Sequence, residues 1–418
     1  MRLANFSIFS SLAIIFSGSV ASRNVWNTLD GNPTRLVGHR GEKAFMPEHS
    51  LGSYNMAALL SVDYIEPDLC LTKDGELVVI HNEWLGDTTN IANLTQFADR
   101  KKQLTFNGKY TQINRTDWFT FDFTMAELET ITVTQSQAYP WRPQYYNTIF
   151  KMLSFDQYLD TVESLSATLN RTFGIIPELK SPELFNTYHP SANGRYFEDK
   201  LIETLTKRGY TQNQPPPKKP LMKGDDLLNQ MLNVDNSDLP PSSYKVATIQ
   251  SFDPECLQYL STKTKIPLVN LDSTIAMYYT PGGLDYMAKF ASIFSMAKQV
   301  LITEPALYFE LSKISYNATQ IAALGGFLST ADLVKECHKR GIELSPYTFY
   351  DSRQSLANIC DTVSDPRIKF CPKNSKEEQN YMFNLGIDYL FVENVFESQS
   401  LRLAFDYEIR YSSENCAY

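Results

Sequence analysis

Two rhythms of apolar residues alternate along this chain. Short apolar runs bounded by turn residues predict strands at Arg35–Gly41, Asp63–Thr72, Glu76–His81 and Phe173–Leu179. A helical pattern, Leu51–Leu60, lies between the first two, and the turn Lys73-Asp74-Gly75 separates the second from the third. Further on, Tyr196–Arg208 carries Phe197, Leu201 and Leu205 at helical spacing and is closed by Gly209. The unit then repeats: helix Ala331–Arg340, Gly341, strand Ile342–Phe349, and later helix Lys376–Leu385, Gly386, strand Ile387–Glu393. Helix, glycine, strand in succession is the signature of a parallel α/β fold.

Two stretches break that rhythm. Gly86–Arg142 is polar and aromatic, which predicts an excursion over one end of a barrel. Gln212–Pro241 contains PPPKKP and predicts an exposed loop. Neither has the makings of a separate core, so residues 35–410 are expected to form one domain with an insertion at about 86–142. A length of 418 residues suits an α/β barrel with insertions, and a hydrophobic content of 43% is ample for its core.

A net charge of −9 argues against general affinity for nucleic acid. At the N-terminus, Arg2 precedes the apolar run Ile8–Val20, and Ser19-Val20-Ala21 supplies small residues for cleavage. This predicts a signal peptide over residues 1–21 and no stable membrane insertion. Sequons at Asn93, Asn114, Asn170 and Asn317 fit a secreted glycoprotein, expected to be a soluble monomer. In an oxidising compartment, Cys360 and Cys371 are the first candidates for a disulfide, because they flank a short polar loop. Cys70 sits in an apolar strand and reads equally well as a buried free thiol. Without CxxC or Cys/His spacing, zinc on sulfur is not expected.

The chemistry concentrates between Val37 and Asn82, which hold three of the five histidines. Glu66 and Asp68 are two apart on a strand, so both face one side. A cation would relieve their repulsion, and carboxylate oxygens favour Ca²⁺ or Mg²⁺. A half-exposed strand would explain these two residues equally well. Glu178 adds a third carboxylate at a strand end, where barrel enzymes place catalytic groups; its plainer role is an ion pair with Lys180. His39 and Arg40 end the first strand, Gly41 allows a tight turn, and an arginine can grip two phosphate oxygens. His81 follows Val78-Val79-Ile80. One histidine can take a proton from a nucleophile while the other gives one to a leaving oxygen. His49, His189 and His338 read as structural. The set matches the needs of metal-assisted attack on a phosphate diester.

The order of motifs is specific. His39-Arg40-Gly41, Pro47-Glu48, Glu66-x-Asp68 and Thr72-Lys73-Asp74-Gly75-x-Leu77-Val78-Val79-x-His81 are followed by Pro177-Glu178-Leu179-Lys180, Gln250-Ser251-Phe252 and Pro346-Tyr347-Thr348. In these residues the chain resembles the glycerophosphodiester phosphodiesterase family, nearest its secreted or periplasmic branch. The resemblance implies a (β/α)8 TIM barrel with a small insertion. It also implies hydrolysis of glycerophosphodiesters to glycerol 3-phosphate and an alcohol with one divalent cation, Ca²⁺ or Mg²⁺. His39 and His81 match the acid/base pair, and Glu66, Asp68 and Glu178 match the metal ligands. Arg40 and Lys180 match substrate-phosphate contacts, and Glu48 a structural glutamate. Either the adjacent glycerol hydroxyl attacks phosphorus to give a cyclic phosphate, or water attacks directly.

Three positions depart from the family pattern: Asn82 and Glu393 replace aspartates, and Ser61-Val62-Asp63 lacks a glycine. Two other readings stand beside this one. A lipid phosphodiesterase of lysophospholipase D or sphingomyelinase D type would need an apolar channel, for which Trp118, Phe119, Phe121 and Phe123 are candidates. A non-catalytic secreted binding protein would tolerate loss of motif residues, yet all six of His39, Arg40, Glu66, Asp68, Glu178 and His81 are present.

Overall fold

The computed structural model describes residues 26–211, 245–350 and 363–411. The expected signal peptide, the loop Gln212–Pro241 and Cys360 lie outside them.

Eight parallel strands close into a barrel. They are β1 (Arg35–Gly38), β2 (Tyr64–Ile65, resuming as Asp68–Leu71), β3 (Gly174–Ile175, resuming as Glu178–Leu179), β4 (Ile249–Ser251), β5 (Leu268–Leu271), β6 (Ile293–Ser295), β7 (Glu343–Leu344) and β8 (Tyr389–Val392). From β1 to β7 each pairs with the next in sequence, and β8 pairs with β1, Arg35 opposite Tyr389 and Gly38 opposite Val392. The β7–β8 seam is held by Asp388 N–H on Leu344 O at 3.1 Å and by a parallel bridge between Phe349 and Val392.

The sequence pattern predicts unbroken strands at Asp63–Thr72 and Phe173–Leu179, but both are interrupted at a proline. Pro67 and Pro177 have no N–H to continue a ladder. Their carbonyls still accept from Glu178 N and Gln250 N, each at 3.0 Å, so the barrel stays closed across the gaps. The segment read as Glu76–His81 forms a strand over Leu77–Val79 that is not a barrel stave. It runs antiparallel to Asp68–Leu71, pairing Leu69 with Val79, and so returns His81 to the end of the barrel where Asp68 lies. The predicted helices are observed at Leu51–Leu59, Tyr196–Lys207, Thr330–Lys339 and Ser375–Leu385.

The barrel interior is filled by Val37, Tyr64, Ile176, Val246, Val269, Ile293, Tyr389 and Phe391, separate from the larger core between strands and helices. Arg35 and Glu343 pair at 2.8 Å beside Tyr389, with Arg35 stacked on the Tyr389 ring. The filling is apolar and aromatic, so it excludes water from below the site.

Within the insertion, Lys102–Asn107 and Gln112–Asp117 form an antiparallel hairpin. Trp118, Phe119, Phe121 and Phe123 are buried in its base. Phe121 stacks on Tyr188 at 3.8 Å and Phe123 meets Phe97 edge-on at 5.2 Å. These rings are spent on packing and do not line a channel. Cys70, Cys256 and Cys337 are buried free thiols, while Cys371 is disulfide-bonded. His338 bonds Asp388 at 2.9 Å and His189 stacks on Tyr196, as structural residues do. Among the described residues, no helix is long and apolar enough to cross a membrane.

Candidate active site

Alternation along the staves builds the site. Two positions beyond the interior residues Val37, Tyr64, Ile176 and Phe391 come His39, Glu66, Glu178 and Glu393. Side chains alternate faces, so these four follow the inward-facing apolar residues as each stave reaches its carboxyl end.

Glu66, Asp68 and Glu178 each present an oxygen within 4.8 Å of the others, and all three are buried. Glu66 accepts from the Arg40 backbone N–H at 3.0 Å and from Gln250 Nε2 at 2.7 Å. His49 Nε2 donates to Asp68 Oδ2 at 2.9 Å, while its Nδ1 bonds the Tyr54 hydroxyl at 2.8 Å. Lys180 Nζ lies 2.8 Å from Glu178 Oε1. Burial, reinforced by Asp68 and Glu178, pushes Glu66 well above the usual carboxylate range. Burial also raises Glu178, to about 7, against the pull of Lys180. At Asp68 burial is outweighed by the Lys180 charge and the hydrogen bond from His49, which hold it well below that range. Asp68 Oδ1 is buried and has no hydrogen-bond partner. Three crowded carboxylates, two reluctant to ionise together, and one unused buried oxygen fit a hard divalent cation such as Ca²⁺ or Mg²⁺.

His39 flanks this cluster. Its Nδ1 donates to Glu393 Oε1 at 3.2 Å and its Nε2 lies 3.8 Å from Glu66. Burial, with the nearby Arg40 charge, lowers the His39 imidazole to about 3. Lys43 pairs with Glu393 at 2.8 Å, and Arg142 bonds its other oxygen. Burial raises Glu393, but Lys43, His39 and Arg142 more than reverse it and keep the carboxylate ionised. Arg40 bonds Glu48 at 2.9 Å and lies 3.3 Å from Asp68, so its guanidinium stays beside the cluster. Its backbone is left-handed at φ 61, and Gly41 follows at φ 85. A Cβ on Gly41 would stand 2.5 Å from the Ser53 hydroxyl, so only glycine fits this turn.

His81 is on the other side. Its Nδ1 lies 2.6 Å from Asn82 Oδ1 and its Nε2 lies 3.2 Å from Lys180 Nζ. Burial, with Arg40 and Lys180, holds the imidazole well below its ordinary value and therefore neutral. From there a cavity of about 280 Å³ opens between Glu83, Trp84, Phe252 and the hairpin tip at Tyr110.

All seven residues singled out from the sequence converge here, with Lys180 joining His81 to Glu178. Four others join them with little or no signal in the sequence. His49, read as structural, touches Asp68. Glu393, noted only as a departure, carries the hydrogen bond of His39. Lys43 and Arg142 hold that glutamate. Position next to His39-Arg40-Gly41 was the only signal for Lys43, and Arg142 had none.

Fold and site together define a (β/α)8-barrel enzyme that gathers its polar and titratable groups at the carboxyl ends of its strands. Residues 39–396 match the model of the glycerophosphoryl diester phosphodiesterase family, and the chain belongs to that family. It is 29% identical over 369 residues to Glycerophosphodiester phosphodiesterase GDPD6 of Arabidopsis thaliana, covering 85% of this chain and 82% of the plant protein. It is 25% identical over 358 residues to a glycerophosphodiester phosphodiesterase of Haemophilus influenzae, covering 83% and 88%. The crystal structure of a provisionally named glycerophosphoryl diester phosphodiesterase from Silicibacter pomeroyi superposes with a TM-score of 0.51 at 14% identity, over 91% of this chain and 98% of that one. That likeness confirms the barrel fold.

Proposed function

We propose that this protein hydrolyses glycerophosphodiesters to glycerol 3-phosphate and an alcohol, using His39 and His81 as its acid/base pair. The observation that carries this reading is the placement of two histidines on either side of one buried three-carboxylate cluster. Glu66, Asp68 and Glu178 would hold one divalent cation, which supplies positive charge for the phosphate oxygens. Arg40 and Lys180 add fixed charge on either side, so the diester is oriented by the chain itself. One imidazole accepts the proton of the attacking hydroxyl or water. The other must enter the reaction protonated and gives that proton to the departing alkoxide oxygen, so the pair ends with the two roles exchanged and its proton count unchanged.

The packed aromatic base of the insertion disfavours the lipid-substrate reading, since no apolar channel is built from Trp118 to Phe123. The intact cluster disfavours a binding protein. Secretion as a glycoprotein belongs to the same proposal, and the exposure of Asn93, Asn114, Asn170 and Asn317 supports it.

Hydrolysis of glycerophosphocholine by the purified protein, with and without chelator and beside His39→Ala, tests the reading. Release of glycerol 3-phosphate that depends on both metal and His39 is expected. A folded, cation-supplied protein that turns over no glycerophosphodiester would overturn it.

A further inference from the structure

The contacts behind His81 run out of the barrel to the insertion. Asn82 Oδ1 lies 2.6 Å from His81 Nδ1, and Asn82 Nδ2 donates to Asp87 Oδ2 at 3.0 Å. An ionised carboxylate can only accept, so the amide must turn its NH₂ group to Asp87 and its oxygen to His81. That oxygen can likewise only accept. His81 therefore carries its hydrogen on Nδ1, and the neutral ring keeps its lone pair on Nε2, the nitrogen beside Lys180. Asp87 is fixed in turn by Trp84 Nε1 at 2.6 Å and by Arg115 of the hairpin, which also pairs with Asp117 at 2.8 Å.

We propose that Asp87 is a positioning residue for His81: through Asn82 it fixes the tautomer and ring plane of the histidine, and the insertion supplies Arg115 to hold it there. The proposal rests on the reading of His81 as one of the catalytic pair. It gives the insertion a part in the chemistry, because the hairpin and the reacting imidazole share one line of hydrogen bonds. It also explains how an uncharged asparagine can stand next to this histidine. The asparagine passes on the orientation that the carboxylate beyond it imposes. A plainer role would leave Asp87 anchoring only Trp84 and the hairpin, with no influence on the ring.

Asp87→Asn and the double variant Asn82→Asp/Asp87→Asn separate the two. In the single variant the Asn82 amide is free to turn over and offer its NH₂ to the ring. We expect kcat to fall about tenfold to a hundredfold with KM little changed, as for other residues that orient a reacting histidine from behind. In the double variant the carboxylate introduced at position 82 would accept from His81 directly. Its kcat should therefore return to within about threefold of wild type, because a group that can only accept again faces Nδ1. Nitrogen-15 NMR of histidine-labelled full-length protein, with the His81 signal identified by its loss in His81→Gln, reads the tautomer without turnover. The Nδ1–H form is expected in wild type and the double variant, and a mixture in Asp87→Asn. Unchanged kcat and tautomer in Asp87→Asn would overturn the proposal. So would equal losses in the single and double variants, which would mark Asp87 as a hairpin anchor. Absence of turnover in wild type would count against the proposed function alone, because the tautomer comparison still decides the role of Asp87.

Discussion

Glu393 accepts the Nδ1 hydrogen of His39 at 3.2 Å although the two residues are 354 positions apart. The same carboxylate is the shared anion of Lys43 and Arg142, and all of these groups are buried. Removing one member of such a group leaves uncompensated charge out of water. Glu393→Ala is expected to cost about 3–5 kcal/mol of stability. Glu393→Asp, which keeps the charge, should cost less. Denaturant unfolding of the two variants beside wild type checks the order.

The acidic cluster makes the effect of a cation depend on pH. Glu178 has its pKa raised by burial from 4.5 to about 7. A raised pKa means that stability is fully present below the unfolded value and is lost as pH rises through the folded one. The cation-free protein should therefore weaken between about pH 4.5 and 7, by on the order of 3 kcal/mol from this group. Bound Ca²⁺ or Mg²⁺ compensates the ionised carboxylates. The rise in Tm on adding cation to chelator-treated protein should be larger at pH 8 than at pH 5. An equal rise at both values would contradict this account.

His39→Ala and His81→Ala should each lower kcat by about 10²–10⁴, the usual contribution of a positioned acid or base. Neither ring is part of the apolar barrel filling, so circular dichroism should still show a folded barrel, with Tm lowered by the loss of one buried hydrogen-bonded ring. Activity within tenfold of wild type in either variant would remove that histidine from the proposed pair.

Glu183 tethers the hairpin that walls the cavity. Its carboxylate accepts from the backbone N–H groups of Lys109 and Tyr110 at 3.0 Å and of Thr111 at 3.2 Å. Glu183→Ala leaves this tip without its acceptors. Trypsin should then cut faster after Lys109, and KM should rise while kcat changes little, since no reacting group has moved.

Much of this site is legible in the sequence because its signals are local. Val37 and His39, Tyr64 and Glu66, and Ile176 and Glu178 each state in three residues that a strand passes from apolar filling to polar chemistry. The turn Lys73-Asp74-Gly75 likewise marks a new strand ending at His81, although not that this strand runs back antiparallel to β2. What stays illegible is pairing at a distance. His49 meets Asp68 from the start of a helix, and a helix-opening histidine looks the same whether it faces solvent or a carboxylate. Arg142 reaches Glu393 only after the insertion has folded back, and no periodicity in the chain encodes that approach. Pro67 and Pro177 are plain in the sequence, yet their effect on strand continuity depends on which neighbour each strand finds.

Closure of β8 onto β1 has a consequence for biosynthesis. His39 is among the first described residues to be made, and its carboxylate partner comes from the last stave. A growing chain can hold Glu66, Asp68, Glu178 and both histidines and still lack the group that orients one of them. Competence therefore arrives at a single late moment, when the final strand zips into the seam. A chain released before residue 389 would carry these side chains without an assembled site.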